Sequence, residues 1–346
     1  MSSEARVWLL TGPRPGEVAQ QRRLAQALAE SLGEFWTDKP VFEPGAADAR
    51  AFGWTPEAAE RCGLMSPWPV LAISFGKTLD AALWLRQRSG GQTRIVHLGR
   101  PRGVAAAEID LIVPMPQDSM PTAPNVHRLR WPLNAPPPLA DRQRDAAAQR
   151  LAPLPRPWTA LVVGGTSRHF DLRLDALRSW IAAPRAGSLL VCTSPRTPSH
   201  WLAPLREALA ESGRPHEFAA FKPGAGSSAY AEYLHLADRI VVTGDTASMI
   251  ADAWRSGAPV SVLPVPARRR LRLRRALRGG VPASLAQVLV DRGWWAPTVD
   301  LDRWIATLAA EGWVAIEGLG SPAARRPAID DDLAVLVARI GPLLGR

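Results

Sequence analysis

The run Arg239-Ile240-Val241-Val242-Thr243-Gly244-Asp245-Thr246-Ala247-Ser248-Met249-Ile250-Ala251-Asp252-Ala253 constrains the fold more than any other stretch of this chain. It begins as a β-branched, apolar segment of strand length. It breaks at Gly244 and restarts as a helix with small polar side chains in its first turn. A strand that turns directly into a helix leaves the first helical N–H groups without intrahelical partners, and such an end favours an anion, most often a phosphate. Two further segments end in the same way: Leu161-Val162-Val163-Gly164-Gly165-Thr166-Ser167 and Leu189-Leu190-Val191-Cys192-Thr193-Ser194. In open α/β sheets, ligands lie beyond the carboxyl ends of the strands. Three polar strand ends in one half of the chain therefore predict one site.

The same strand–helix alternation fills both halves. Strands are expected at 7–11, 69–74, 94–98, 110–113 and 125–129, with helices over Leu24, Leu28 and Leu32 and near 78–88. Farther on, helices near 172–181, 199–211 and 230–237 alternate with strands at 188–194, 216–221, 239–243 and 259–264. This order predicts parallel sheets covered by helices, an α/β protein. Between the halves, Pro136, Pro137, Pro138, Pro153, Pro155 and Pro157 flank a polar helix-like run, which reads as a linker. The expected division is a Rossmann-like domain over 1–135, a linker over 136–157, a second Rossmann-like domain over 158–325 and a terminal helix within 326–346. Leu333, Val335, Leu336, Ile340 and Leu344 give that helix its apolar positions.

Cys62 and Cys192 are the only cysteines, which excludes a disulfide scaffold and a cysteine-rich zinc site. The net charge of +10 comes almost entirely from arginine. It points to an anionic partner, although a general arginine richness of composition explains it equally well. The densest run is Arg268 to Arg278, in which Leu273 and Leu277 sit one helical turn apart. An arginine-flanked apolar stripe suits an anionic membrane or a lipid-linked acceptor; a solvated basic helix is the competing reading. No recognised nucleic-acid module accompanies the run, so no nucleic acid is expected. The polar start leads straight into a strand, and no apolar run approaches the roughly 20 residues of a membrane span. A cytoplasmic protein is expected, at most peripheral at the inner membrane face.

Several residues at the strand ends are candidate ligand contacts. Thr246 and Ser248 can offer hydroxyls to a diphosphate beside the free N–H groups, the alternative being ordinary helix capping by Thr246 or Asp245. Asp245 would repel a diphosphate unless its carboxylate points elsewhere. Gly164 and Gly165 permit close approach of the backbone. Arg196, after Thr193-Ser194, can pair with phosphate, and Asp252 can reach ribose hydroxyls. Glu17, in the first loop, is the candidate general base for an acceptor hydroxyl; a helix-start acid favoured by the dipole is the alternative. Asp118 and Asn125 are lesser candidates. Gly76-Lys77-Thr78 resembles the tail of a phosphate loop, but Leu71 stands where the pattern needs glycine. No dinucleotide fingerprint, nucleophile elbow or histidine pair at metal spacing is present, so no metal and no cofactor is expected.

The strings Gly164-Gly165-Thr166-Ser167, Thr193-Ser194-Pro195-Arg196-Thr197-Pro198 and Val242-Thr243-Gly244-Asp245-Thr246-Ala247-Ser248-Met249 resemble those of the mitochondrial fission ELM family. So do Gly16-Glu17-Val18-Ala19-Gln20, Leu71 to Gly76 and Tyr230 to Asp238, so the likeness spans most of the chain. The resemblance implies a glycosyltransferase-B type fold, two Rossmann-like domains facing a cleft. It implies an acceptor side on the first domain and a nucleoside-diphosphate sugar held mainly by the second. On that footing the sugar-nucleotide contacts are Gly164, Gly165, Thr166, Ser167, Ser194, Arg196, Thr197, Thr243, Gly244, Asp245, Thr246, Ser248, Met249 and Asp252, with Glu17 catalytic. The chain departs from the family's pattern at Glu17, where Asp is usual, at Thr246, where Ser is usual, and at Asp252, where Glu is usual. Each departure keeps the functional group and changes its reach. Three functions follow from the resemblance: sugar transfer to a cell-envelope acceptor, 2-epimerisation of the nucleotide sugar, or a non-catalytic scaffold that recruits partners at a membrane.

Overall fold

The structure is a computed structural model and describes residues 6–41, 54–222, 229–296, 298–319 and 332–346. It comprises two compact units. The first is Met1–Asn134, Arg278–Val299 and Ala328–Arg346, and the second is Ala135–Leu277 and Asp300–Pro327.

The first unit runs β1 (Val7–Thr11), α1 (Pro15–Leu32), β2 (Trp36–Pro40), α2 (Pro56–Arg61), β3 (Leu71–Phe75), α3 (Leu79–Arg88), β4 (Arg94–Leu98) and β5 (Leu111–Val113). Its sheet has the order β2-β1-β3-β4-β5 and every pairing is parallel. A parallel sheet needs helices on both faces, and the alternation along each strand supplies two cores. Val7 and Leu9 of β1, with Ile73 and Val96, pack on Leu24 and Leu28 of α1. Trp8 and Leu10 turn the other way, to Ala82 and Leu85 of α3. Helix α1 starts with Pro15 in its first turn and ends at Gly33, whose φ of 67° lets its N–H cap Ala29.

The second unit runs α4 (Asp141–Leu151), β6 (Trp158–Val163), α5 (Leu174–Ala182), β7 (Ser188–Thr193), α6 (Leu202–Glu211), β8 (His216–Ala219), α7 (Ala229–Leu236), β9 (Arg239–Thr243), α8 (Ala247–Ser256), β10 (Val260–Leu263) and most of α9 (Arg269–Gly279). Its six-stranded sheet, completed by β11 (Ala315–Ile316) from farther along the chain, is parallel throughout, in the order β11-β10-β9-β6-β7-β8. The chain then returns to the first unit with α10 (Ala283–Asp291), goes back to the second with α11 (Leu301–Ala310) and β11 (Ala315–Ile316), and ends on the first with α12 (Asp332–Ile340). Two contacts explain these returns. Val290 of α10 is buried in the core on the α3 face, and Leu336, Val337 and Ile340 of α12 are buried beside Leu24 and Leu28.

One local expectation differs from the structure. Residues 125–129 form no strand; Val126 makes a single parallel bridge to Ile112, while the Asn125 amide donates to the carbonyls of Ala106 and Ile109. Residues 136–157 contain a full helix, α4, whose Ala147 and Leu151 are buried and whose Arg150 pairs with Glu217 and Glu232.

Candidate functional site

Strands β9, β6 and β7 are neighbours in the second sheet, and their registers bring their carboxyl ends level. Val162 lies opposite Val242 and Val163 opposite Thr193. The glycine turn after β6 thus sits between the turns after β7 and β9. Gly164 N–H donates to Thr243 Oγ1 at 2.8 Å, and Thr243 Oγ1 donates to Asp245 Oδ1 at 2.6 Å. Gly165 N–H donates to Asp245 Oδ2 at 3.1 Å. Arg196 Nη2 reaches the same oxygen at 2.9 Å, from a side chain 41% exposed to one that is 0% exposed. Asp245 is therefore the bracket of the three turns, and its charge is offset by Arg196. A Cβ on Gly164 would run into this carboxylate, and a Cβ on Gly165 would run into the Arg196 carbonyl. Both positions require glycine for close approach.

The β7 turn is closed on itself. Thr197 Oγ1 accepts the Ser194 N–H at 3.0 Å and donates to the Gly164 carbonyl, and Ser194 Oγ accepts the Arg196 N–H at 3.3 Å. Ser167 ends the β6 turn by accepting the N–H groups of His169 and Phe170, at 3.2 and 2.9 Å, while Thr166 is exposed. Gly244 N–H donates to Leu263 on β10 at 2.8 Å. Helix α8 then begins. Thr246 is its N-cap residue by position and makes no side-chain cap bond; its hydroxyl lies 3.1 Å from that of Ser248. With Asp245 turned to β6 and β7, and Thr246 turned to Ser248, neither residue caps α8. Ser248 and Met249 are partly exposed in the first turn, where the helix dipole is positive.

Asp252 lies about two turns along α8 and is buried, and Tyr230 O–H donates to its Oδ2 at 2.9 Å. Burial, then the neighbouring Asp252 charge, hold the Tyr230 phenol well above its usual range. Sequence reading assigns Tyr230 no role; the two residues are 22 positions apart and no local spacing joins them.

In the first unit, Glu17 stands in the first turn of α1, and Arg14 Nη1 pairs with its Oε1 at 2.8 Å. Its carboxylate lies against Gly76, which follows β3 and has a φ of 58°. Glu17 thus sits where the carboxyl ends of β1 and β3 meet. Asp118 is buried and paired to Arg100 Nε at 3.0 Å, and burial raises its carboxyl to about 6.

The model of the mitochondrial fission ELM1 family matches residues 15–279, well over half of the sequence. The chain belongs to the mitochondrial fission ELM1 family. No curated protein matches it in sequence. Among solved structures, this ELM1-family protein is similar to a glycosyltransferase from Rickettsia africae, with 7% identity and a TM-score of 0.51 over 98% of each chain. It is also similar to a UDP-GlcNAc 2-epimerase from Neisseria meningitidis bound to UDP-GlcNAc, with 10% identity and a TM-score of 0.47 over 88% of this chain and 99% of that one. Anabaena HepE in complex with UDP and glucose is 12% identical, with a TM-score of 0.40 over 88% and 98%. At such identities the likeness shows the fold alone. The fold is of the glycosyltransferase-B type.

The ELM1-family chain carries its basic run mainly on α9. Leu271 is buried, and three arginines of the run are engaged. Arg268 pairs with Asp171, Arg275 with Asp300 and Asp302, and Arg278 stacks on Trp295. Arg269, Arg270, Arg272 and Arg274 are exposed and make no ion pair among the described residues. Leu273 and Leu277 beside them are 58% and 67% exposed. No helix of the described residues is long and apolar enough to cross a membrane.

Proposed function

We propose that this protein binds a nucleoside-diphosphate sugar at the ends of β6, β7 and β9 and transfers the sugar to a cell-envelope acceptor. The observation that carries the reading is the set of three level strand ends, with glycines at β6 and an α8 start that no side chain caps. In this reading the diphosphate lies on the first turn of α8, with the hydroxyls of Thr246 and Ser248 beside it. Gly164 and Gly165 let Asp245 and the Arg196 backbone close over β6, and Arg196, held by Asp245, offers its remaining N–H donors to the diphosphate. Asp252, fixed by Tyr230, serves the ribose. As the acceptor oxygen attacks the anomeric carbon, Glu17 takes its proton and the bond to the diphosphate breaks. The exposed face of α9 brings the protein to an anionic membrane from the cytoplasmic side, where a lipid-linked acceptor would lie.

Epimerisation fits less well. It needs an acid and a base around the sugar ring. Asp245 is committed to Gly165, Thr243 and Arg196, and Asp252 is assigned to the ribose. A scaffold without activity would need the glycines and hydroxyls that pack the turns, but not an α8 start left uncapped beside Thr246 and Ser248.

Calorimetry with UDP-, GDP-, CMP- and TDP-sugars tests the donor site, and binding of one nucleotide class is the expected result. Labelled donor, supplied with and without anionic membrane extract, tests the reaction. Label should enter lipid only when the extract is present. Isomerised free donor without extract would overturn transfer, and binding of none of the four classes at millimolar concentration would overturn the whole reading.

A further inference from the structure

An open groove of about 670 Å³ runs along the outer face of α3 in the first unit. That is the size of an ordinary small-molecule site. It is lined by Trp54, Asp80, Leu83, Trp84, Gln87 and Glu108, with Arg86 as one wall. Asp80, Leu83, Trp84 and Gln87 recur at helical spacing, so one face of α3 presents them all. Trp84 stands at the centre of a tryptophan cluster: the Trp54 ring is 6.4 Å away and the Trp68 ring 6.1 Å away, edge-on. All three rings are only partly buried. Their inner edges pack on the core of the α3 face, and their outer parts stay open to the groove.

The polar groups of the groove are mostly uncommitted. Arg86 is engaged, with one nitrogen on the Glu108 carbonyl and another on Asp110. The side chains of Asp80, Gln87 and Glu108 have no hydrogen-bond or ion-pair partner among the described residues. Desolvation by its neighbours raises the Asp80 carboxyl, although the side chain itself is exposed.

These groups select a ligand class. Ionised Asp80 and Glu108 only accept hydrogen bonds, and the Gln87 amide both donates and accepts. A ligand hydroxyl can donate to the first two and do either with the third. An ammonium group can only donate, and it would meet Arg86 and the Arg88 guanidinium already stacked on Trp84 at 5.7 Å. A flat apolar molecule would use the rings and leave the carboxylates unserved. Asp80 to Gln87 spans about two helical turns, roughly 10 Å, longer than a single pyranose.

We propose that this groove binds a neutral oligosaccharide, one pyranose against the part of Trp84 that neither Arg88 nor the core covers and its hydroxyls on Asp80, Gln87 and Glu108. The inference does not rest on nucleotide-sugar binding by the second unit, and the two can fail separately.

The test is calorimetry of the full chain with maltoheptaose, cellopentaose, chitotetraose and mannopentaose, with spermidine as a cationic arm. At least one glycan should bind, and Trp84→Ala and Asp80→Ala should each weaken it tenfold or more. Asp80 is exposed, so its variant keeps the test valid if Trp84→Ala fails to fold; thermal melting decides that. Both folded variants should keep whatever nucleotide-sugar affinity the parent has. Binding of spermidine with no glycan, no binding of any probe at 20 mM (roughly the weak end of specific recognition), or glycan binding unchanged in both folded variants would each overturn the proposal.

Discussion

Arg196 and Asp245, 49 residues apart, meet at 2.9 Å over the end of β6. The carboxylate is wholly buried and the guanidinium is not. The two partners therefore differ in what their loss costs. Asp245→Ala strips an acceptor from Gly165 N–H, Thr243 and Arg196 at once. Leaving the buried Gly165 N–H and Thr243 hydroxyl without their acceptor, on top of the lost ion pair, should cost about 3–5 kcal/mol. Arg196→Ala removes the guanidinium that covers the carboxylate but leaves Asp245 its bonds to Gly165 and Thr243, so it should cost less, about 1.5–3 kcal/mol for one charged hydrogen bond. Urea denaturation of the two variants checks the order; equal losses would show that the carboxylate is not the bracket.

The glycines give a contrast within one chain. Gly165→Ala would drive a Cβ into the Arg196 carbonyl, whereas Gly16→Ala, in the first turn of α1, meets nothing within 4 Å. The first should lose donor affinity by more than tenfold along with melting temperature. The second should be neutral or stabilising by up to about 1 kcal/mol. Thermal melts and calorimetry read both, and a tolerated Gly165→Ala would mean that the β6 turn has room to move.

These contrasts also show what the sequence made legible. The strand ends stood out because β-branched runs stop abruptly at Gly164, Thr193 and Gly244, a local signal that parallel strands impose. The edge strand β2 did not stand out, since Trp36-Thr37-Asp38-Lys39-Pro40 is only half buried and needs no apolar alternation. Residues 125–129 read as a strand because Val126 and Leu129 are apolar, yet Val126 makes only one bridge. The return of Val290 to the first core, and the pairing of Tyr230 with Asp252, depend on tertiary contact and leave no periodic trace. The same holds for the Asp245 bracket: its residue type was visible, but its partners were not.

Two buried groups of the first unit set opposing pH dependences. Burial raises Asp118 to about 6 from 3.8 and lowers His97 to about 4 from 6.5. Between roughly pH 4 and 6 the native Asp118 keeps a proton that the unfolded chain has lost, so its contribution falls as pH rises. Native His97 stays neutral while the unfolded chain binds a proton, so its contribution falls as pH drops. Each slope is about 1.4 kcal/mol per pH unit, with opposite sign. Asp118→Asn should therefore make stability rise more steeply with pH across this window than in the parent, and His97→Asn should tilt it the other way. Denaturation at pH 4.5, 5.2 and 6.0 (values chosen about that window) reads the difference. Parallel curves for all three proteins would show that neither group is shifted as its burial demands.

On α9, exposed Leu273 and Leu277 lie among four arginines that make no ion pair among the described residues. If the helix lies on anionic lipid, the leucines and the charges contribute separately. Leu273→Ser with Leu277→Ser should weaken sedimentation with phosphatidylglycerol vesicles at every salt concentration. Replacing Arg269, Arg270, Arg272 and Arg274 by Gln should remove the salt dependence, worth about 1 kcal/mol per charge near the surface. Neutral phosphatidylcholine vesicles should bind weakly throughout. Equal binding to both lipids, or no effect of the leucine pair, would leave α9 a solvated helix.

Glu17 carries the last and sharpest prediction. Its carboxylate is held by Arg14 and packed against the open face of Gly76, at the meeting of two strand ends. Glu17→Gln keeps the shape and hydrogen-bonding reach of the side chain but removes the proton acceptor. If Glu17 accepts the proton of the acceptor hydroxyl, turnover should fall by about 10²–10⁴-fold. Donor affinity should stay within about twofold, because the donor is assigned to the second unit. Glu17→Asp, which restores the residue usual in the family, should keep far more activity than Glu17→Gln. Arg14→Ala separates positioning from charge: it frees the carboxylate without removing it, so it should disturb the acceptor KM and the pH profile more than kcat. Full turnover in Glu17→Gln would move the base elsewhere and leave Glu17 a dipole-favoured acid at the start of α1. A parallel loss of donor affinity would place Glu17 in binding rather than in proton transfer.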